Sequence, residues 1–82
     1  MNQNPFAEYA QARSRIYESL DRVRSEIDEW LERYTAREPS LAELAMLEAL
    51  HAERSRFLSE LNDAGERFMT ALMRLKADRS GA

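Results

Sequence analysis

Residues 41–75 read LAELAMLEALHAERSRFLSELNDAGERFMTALMRL, and the spacing of apolar residues in this stretch predicts a long amphipathic helix. One line along it, taking every seventh residue, consists of Leu47, Arg54, Leu61, Phe68 and Leu75. Apolar residues flank this line on both sides: Leu44, Leu58 and Leu72 on one side, and Leu50, Phe57, Ala64 and Ala71 on the other. Recurrence at intervals of three and four is typical of a helix. Because the stripe is wider than a two-stranded seam, we expect one neighbouring helix to leave part of it uncovered.

The amino-terminal part of the chain predicts a second amphipathic helix over residues 5–36. Asn4 can cap free backbone amides, and Pro5 fits the first helical position. The apolar residues that follow alternate in steps of three and four, with one break at Arg13; they are Phe6, Tyr9, Ile16, Leu20, Val23, Ile27, Trp30 and Tyr34. This repeat has the a and d pattern of a coiled coil.

Residues 37–40 predict the turn that joins the two helices. Pro39 lacks an amide hydrogen and disfavours helix at Glu38. Ser40 and Glu43 have the spacing of a capping box, which begins a helix predicted over residues 41–78. A connection this short makes the helices antiparallel neighbours. The sequence therefore predicts one all-α domain, 1–82: a coiled-coil-like hairpin that completes a four-helix bundle by dimerisation or with a partner.

The segment Asn62–Gly65 offers a structural alternative. Glycine costs about 1 kcal/mol relative to alanine inside a helix, and Asp63 with Glu66 could cap a new one. A turn there would give three helices. We favour a single helix, because the apolar stripe passes through Gly65 in phase.

Composition bounds the class of protein. The chain has 82 residues, no cysteine and a net charge of −3, with a third of its residues charged. No disulfide can reinforce its small core, and no segment resembles a secretion signal or a membrane span. We expect a cytoplasmic protein. With one histidine and no glycine-rich phosphate loop, we expect no enzyme, no cofactor and no small-molecule substrate.

Two local patterns suggest alternatives. Glu48 and His51 match the Glu-x-x-His pattern of di-metal bundles. The inward-facing positions opposite them, Val23 and Ile27, are apolar, and Glu26 lies only at the flank, so we predict no metal site. A nucleic-acid-associated regulator is the second alternative, and it would use a basic end formed by Arg67, Arg74, Lys76 and Arg79. The acidic total argues against it. We therefore predict neither nucleic acid nor a membrane as a partner.

Arg13 and Arg54 interrupt the apolar stripes, and two interpretations stay open. Each could pack its aliphatic stem on the core with the guanidinium in water. Each could instead fix the register or select a partner. In an antiparallel hairpin we expect Arg54 to face Asp21 or Glu18.

The second half of the chain resembles the small helical hairpins of bacterial type III secretion, namely needle subunits and the co-chaperones that hold them. The residues that carry the resemblance are Pro39-Ser40-Leu41-Ala42-Glu43-Leu44, and Arg67 with Ala71-Leu72-Met73. Needle subunits are looser and richer in asparagine at the amino-terminal end, so the co-chaperone is the better fit. The resemblance implies a non-catalytic hairpin that shields a partner's amphipathic helix.

The sequence thus predicts a protein–protein interaction module, a small chaperone or assembly factor, with a homodimer or a helical protein as its partner. Methionine suits adaptable binding surfaces, which favours the end of the hairpin that carries Met69 and Met73. The predicted partner interface consists of Tyr17, Leu50, Arg54, Phe57, Leu58, Leu61, Phe68, Met69, Leu72 and Met73.

Overall fold

Two antiparallel helices form the protein, as the sequence predicts. The computed structural model describes residues 4–81, so residues 1–3 and 82 of the predicted domain lie outside it. Helix α1 spans Pro5–Arg33 and helix α2 spans Leu41–Ser80, with no strand in the described part. The helices pack along their length into a rod of 66 × 21 × 15 Å. The prediction of an all-α hairpin is confirmed.

Helix α1 begins as predicted and ends earlier than predicted. The Asn4 side-chain oxygen accepts hydrogen bonds from the backbone N–H of Phe6 at 2.9 Å and of Ala7 at 3.3 Å. The helix ends at Arg33 rather than near residue 36. The Thr35 hydroxyl donates to the Glu32 carbonyl at 2.8 Å, which satisfies an acceptor that a further helical turn would have used. Residues 34–40 therefore form a longer connection than the predicted turn.

Helix α2 is continuous through Gly65 and ends at Ser80, two residues beyond the predicted end. The capping box is present: the Glu43 N–H donates to the Ser40 hydroxyl, and the Ser40 N–H donates to the Glu43 carboxylate. A Cβ at Gly65 would lie 3.9 Å from the Tyr9 hydroxyl, an ordinary contact. The three-helix alternative is therefore excluded, and Gly65 opens a shallow place on the helix surface without breaking it.

The core is a thin line of side chains between the helices. Ile16, Val23 and Ile27 of α1 are buried, and Ala64 is the buried residue of α2. Ala64 belongs to one flank of the α2 stripe, whereas Arg54, on the predicted centre line, is exposed. Helix α2 is thus rotated so that the flank with Ala64 faces α1. A small side chain there lets the helix backbones approach closely, which a central arginine would prevent.

Three contacts fix the register of the hairpin. Tyr9 stacks on Phe68 with ring centroids 4.6 Å apart, and Phe6 meets the edge of the same ring at 5.5 Å. Farther along, Arg22 forms an ion pair with Glu53 at 3.5 Å. This register places Arg54 level with Asp21, its predicted neighbour. Arg54 forms no ion pair with Asp21 or Glu18 within residues 4–81, however, and the neighbouring Glu53 pairs with Arg22 instead. In this register Tyr17 lies level with Leu58.

Candidate interaction surface

One side of the hairpin exposes large apolar side chains, and we call it the apolar side. It is defined by Tyr17 of α1 and by Leu44, Leu58, Met69 and Met73 of α2. Their exposed fractions lie between 40% for Leu58 and 68% for Met73. An open groove on this side passes over Gly65, between Tyr9 and Met69. Large exposed apolar side chains gathered on one side of a small protein are typical of an interaction site.

The opposite side is charged. It carries the Arg22–Glu53 ion pair and an open groove lined by Arg15, Glu60, Asp63 and Arg67. Both signs of charge alternate there, so the groove favours neither an anionic nor a cationic ligand. An exposed methionine, Met46, lies on this side in a groove beside Glu26 and Glu53. The contrast between the two sides makes the hairpin amphipathic as a whole.

Five of the ten predicted interface residues are half-buried, and four of these face the other helix and contribute to the packing of the hairpin: Leu50, Phe57, Leu61 and Phe68. Phe68 in particular is held between the rings of Phe6 and Tyr9. The other six lie at the surface, with Leu72 half-buried and the rest exposed: Tyr17, Arg54, Leu58, Met69, Leu72 and Met73. Most of these six surface residues therefore lie together on the apolar side, where they can contact a partner.

One residue of the apolar side, and one beside it, were not among the predicted interface residues. Leu44 lies two heptads before Leu58 on the same line of α2 and is 45% exposed. Gly65 lies one heptad after Leu58 and is half-buried beside the groove. The heptad spacing was visible in the sequence, but the exposure of this line depends on which flank of α2 faces α1.

The two arginines that interrupt the apolar stripes have different surroundings. The Arg13 guanidinium lies over the Tyr17 ring, 5.4 Å from its centroid, within the range of a cation–π contact. Arg54 is exposed and forms no ion pair within residues 4–81. Arg13 thus covers part of one face of the exposed Tyr17 ring, and Arg54 is free to meet groups outside the hairpin.

The turn is held by a network around the Glu43 carboxylate. Besides the Ser40 N–H, this carboxylate accepts two hydrogen bonds from the Arg37 guanidinium, at 3.1 and 3.4 Å. The buried Tyr34 hydroxyl lies beside it, although without the geometry of a full hydrogen bond. The Ser40 N–H first, then Tyr34 and Arg37, lower the pKa of Glu43 from 4.5 to about 2. Burial next to this carboxylate raises the pKa of Tyr34.

This network predicts an acid-dependent loss of stability. The folded pKa of Glu43 is below its unfolded value, so its contribution is complete above pH 4.5 and is lost as the pH falls toward 2. We expect Glu43→Gln to be less stable than the wild type at pH 7, and this difference to shrink between pH 4.5 and pH 2. Thermal unfolding followed by circular dichroism measures it. Glu48→Gln, which removes an exposed carboxylate from the same helix, is the control, and a pH-independent difference for Glu43→Gln would contradict the expectation.

The geometry gives little support to the two alternatives, a di-metal site and a nucleic-acid interface. Within residues 4–81 no group of three or more potential metal ligands converges, and His51 is exposed. At the basic end, Arg67 and Arg74 line a groove together with Glu8, Asp63 and Asp78. Carboxylates interleaved with arginines weaken the field that a phosphate backbone requires. Neither helix in the described part is long and apolar enough to cross a membrane.

The chain matches no family model, no curated protein and no solved structure.

Proposed function

We propose that the chain is a non-catalytic protein–protein interaction module, a small chaperone or assembly factor that covers the amphipathic helix of a partner protein. The observation that carries the proposal is the two-sided surface of the hairpin. Exposed leucine, methionine and tyrosine side chains occupy one side, and mixed charges occupy the other. An amphipathic helix laid on two antiparallel helices is a common recognition mode, and methionine-rich surfaces adapt to such helices.

The resemblance to type III secretion co-chaperones agrees with this proposal, since those hairpins shield helical partners. The proposal includes a cytoplasmic location, where such a partner would be made. The hairpin ends support it in a further way. The aromatic cluster of Phe6, Tyr9 and Phe68 and the Glu43 network stabilise the two ends of the rod. The apolar side between them can therefore meet a partner without first being assembled.

The proposal is tested with a designed amphipathic helical peptide and a scrambled peptide whose leucines are spread around the helix. We expect the protein to bind the first and not the second, with an affinity that changes little between low and high salt. Binding dominated by apolar contacts is insensitive to screening, whereas binding to phosphate is steeply salt-dependent. Isothermal titration calorimetry measures the affinity for each peptide at low and at high salt. A DNA duplex titrated under the same conditions tests the nucleic-acid alternative.

Met69→Asp is the informative variant. It places a charge on the apolar side at a residue that is 56% exposed, so the hairpin itself should fold normally. We expect peptide affinity to fall about tenfold or more, because the carboxylate loses its water without gaining a partner. Ala52→Asp, which adds the same charge at another exposed position of α2, should leave the affinity unchanged. Equal binding of both peptides, or equal loss in both variants, would reject the proposed function.

A further inference from the structure

Leucines are placed symmetrically about Leu58 along one line of α2 on the apolar side. Taking every seventh residue, it reads Leu44, His51, Leu58, Gly65 and Leu72, all exposed or half-buried. From this symmetry we infer that a second copy of the chain covers the apolar side, with the two α2 helices antiparallel and a two-fold axis at the level of Leu58. This inference rests on the proposed function, because it names the protein that covers the same surface when no partner helix is bound.

Antiparallel pairing about Leu58 matches side chains by size. Leu44 lies opposite Leu72 of the second copy, and Leu58 lies opposite its own counterpart. His51 lies opposite Gly65, so the one imidazole of the line fills the place where the other helix lacks a side chain. Interfaces pack well when large and small residues alternate across facing positions. A parallel pairing would instead place His51 against His51 and leave a void between the two glycines.

Polar residues on the same face are also matched. The antiparallel register brings Arg54 opposite Asn62 of the second copy, and both are exposed in the single hairpin. Leu47 meets Met69, an apolar pair. A two-fold axis repeats each of these contacts twice, because residue i of one copy meets residue j of the other and the reverse. Arg54, the arginine of this face, is thus placed against a polar residue by this register.

Helix α1 is consistent with the same axis. Tyr17 lies level with Leu58 in the hairpin, so the axis brings Tyr17 next to its own counterpart. Arg13 then comes level with Asp21 of the second copy, and the axis produces two such oppositely charged pairs. The Arg13 guanidinium is already held over the Tyr17 ring, near the middle of the face. The charges are therefore complementary where two copies meet.

The surface area of the hairpin agrees with a second copy. The chain exposes 6802 Å², whereas a compact monomer of this mass exposes about 5,100 Å². A standard interface covers about 800 Å² of each partner. The hairpin thus has more excess surface than a stable dimer requires, and a second hairpin of equal length can cover the whole apolar side.

Single cysteines test the register, because the chain has none of its own. A two-fold axis places a residue next to its own counterpart only near the axis. We expect Leu58→Cys to form a covalent dimer under mild oxidation. Glu60→Cys, on the charged side two residues away, should stay monomeric on a non-reducing gel. Leu44→Cys and Leu72→Cys should each fail alone and cross-link when the two variants are mixed and refolded together.

Two other cross-linking results would reject the inferred antiparallel dimer. Efficient cross-linking of Leu44→Cys with itself would indicate parallel pairing. Equal cross-linking of Leu58→Cys and Glu60→Cys would indicate random collision. Each variant is compared with the wild type by circular dichroism, so that loss of folding is recognised.

Sedimentation equilibrium gives the second readout. The wild type should be a dimer, and Leu58→Glu, which places two carboxylates together at the axis, should weaken the dimer about 100-fold or more. A monomeric wild type would overturn the inference that a second copy covers the apolar side. Peptide binding by that monomer would still support the proposed function. Because the peptide and the second copy compete for the apolar side, we expect excess peptide to convert the dimer into a monomer–peptide complex. A dimer with the expected cross-links that no excess of peptide dissociates would support this inference and reject the function.

Discussion

Val23→Asp should abolish the helical fold of the chain at micromolar concentration. Val23 is fully buried, at 0% exposure, in the middle of α1. A carboxylate at this position would be surrounded by apolar side chains, and an uncompensated buried charge costs roughly 3–5 kcal/mol. The core of so small a domain supplies only about 3–5 kcal/mol of net stability. The substitution therefore removes about as much free energy as folding provides, and circular dichroism at 25 °C should show most of the helix signal lost.

Ser25→Asp is the matched control, because Ser25 is exposed two residues away on the same helix. It adds the same charge and a similar helix propensity without placing the carboxylate in the core, and we expect wild-type helicity. Protonation offers a second check: Val23→Asp should partly refold at low pH, where the buried group becomes neutral. Wild-type melting of Val23→Asp at pH 7 would mean that α1 does not face α2 through Val23.

The melting temperature of the wild type should rise with protein concentration. If two copies fold together, each tenfold increase in concentration adds about 1.4 kcal/mol per mole of dimer. With an unfolding entropy of about 2.1 cal/mol/K per residue in two chains, this corresponds to a rise of about 4 °C per tenfold change. Differential scanning calorimetry over two decades of concentration measures it. The physical reason is that, in the inferred dimer, the second copy covers the apolar side that a monomer leaves in water.

Leu58→Glu provides the control for this second prediction. Its side chain is 40% exposed in the hairpin, so the substitution acts mainly on association. We expect a lower melting temperature that no longer depends on concentration. A wild-type protein that is fully helical and monomeric, with the same melting temperature at every concentration, would show that the hairpin is stable with its apolar side in water.

The positions where the helices begin could be predicted from the sequence because local chemistry determines them. Asn4 and Ser40 cap backbone amides close to them in the chain, and the Glu43 carboxylate accepts a hydrogen bond from the Ser40 N–H three residues before it. The continuity of α2 through Gly65 followed from the phase of the apolar stripe. The antiparallel arrangement followed from the short connection. The end of α1 was placed too late because the Thr35 hydroxyl satisfies the Glu32 carbonyl, and a threonine carries no signal strong enough to predict this.

Only the tertiary structure decided which flank of α2 faces α1. The apolar stripe of α2 is wide enough that several rotations bury a similar apolar area, so the period of the sequence cannot choose among them. Contact with α1 makes the choice: the small Ala64 permits close approach, and Glu53 rather than Arg54 turns toward Arg22. That rotation leaves Leu44, Leu58 and Met69 in water. The existence of an uncovered apolar side was thus determined by the sequence, whereas its residues were determined by the packing of one helix on the other.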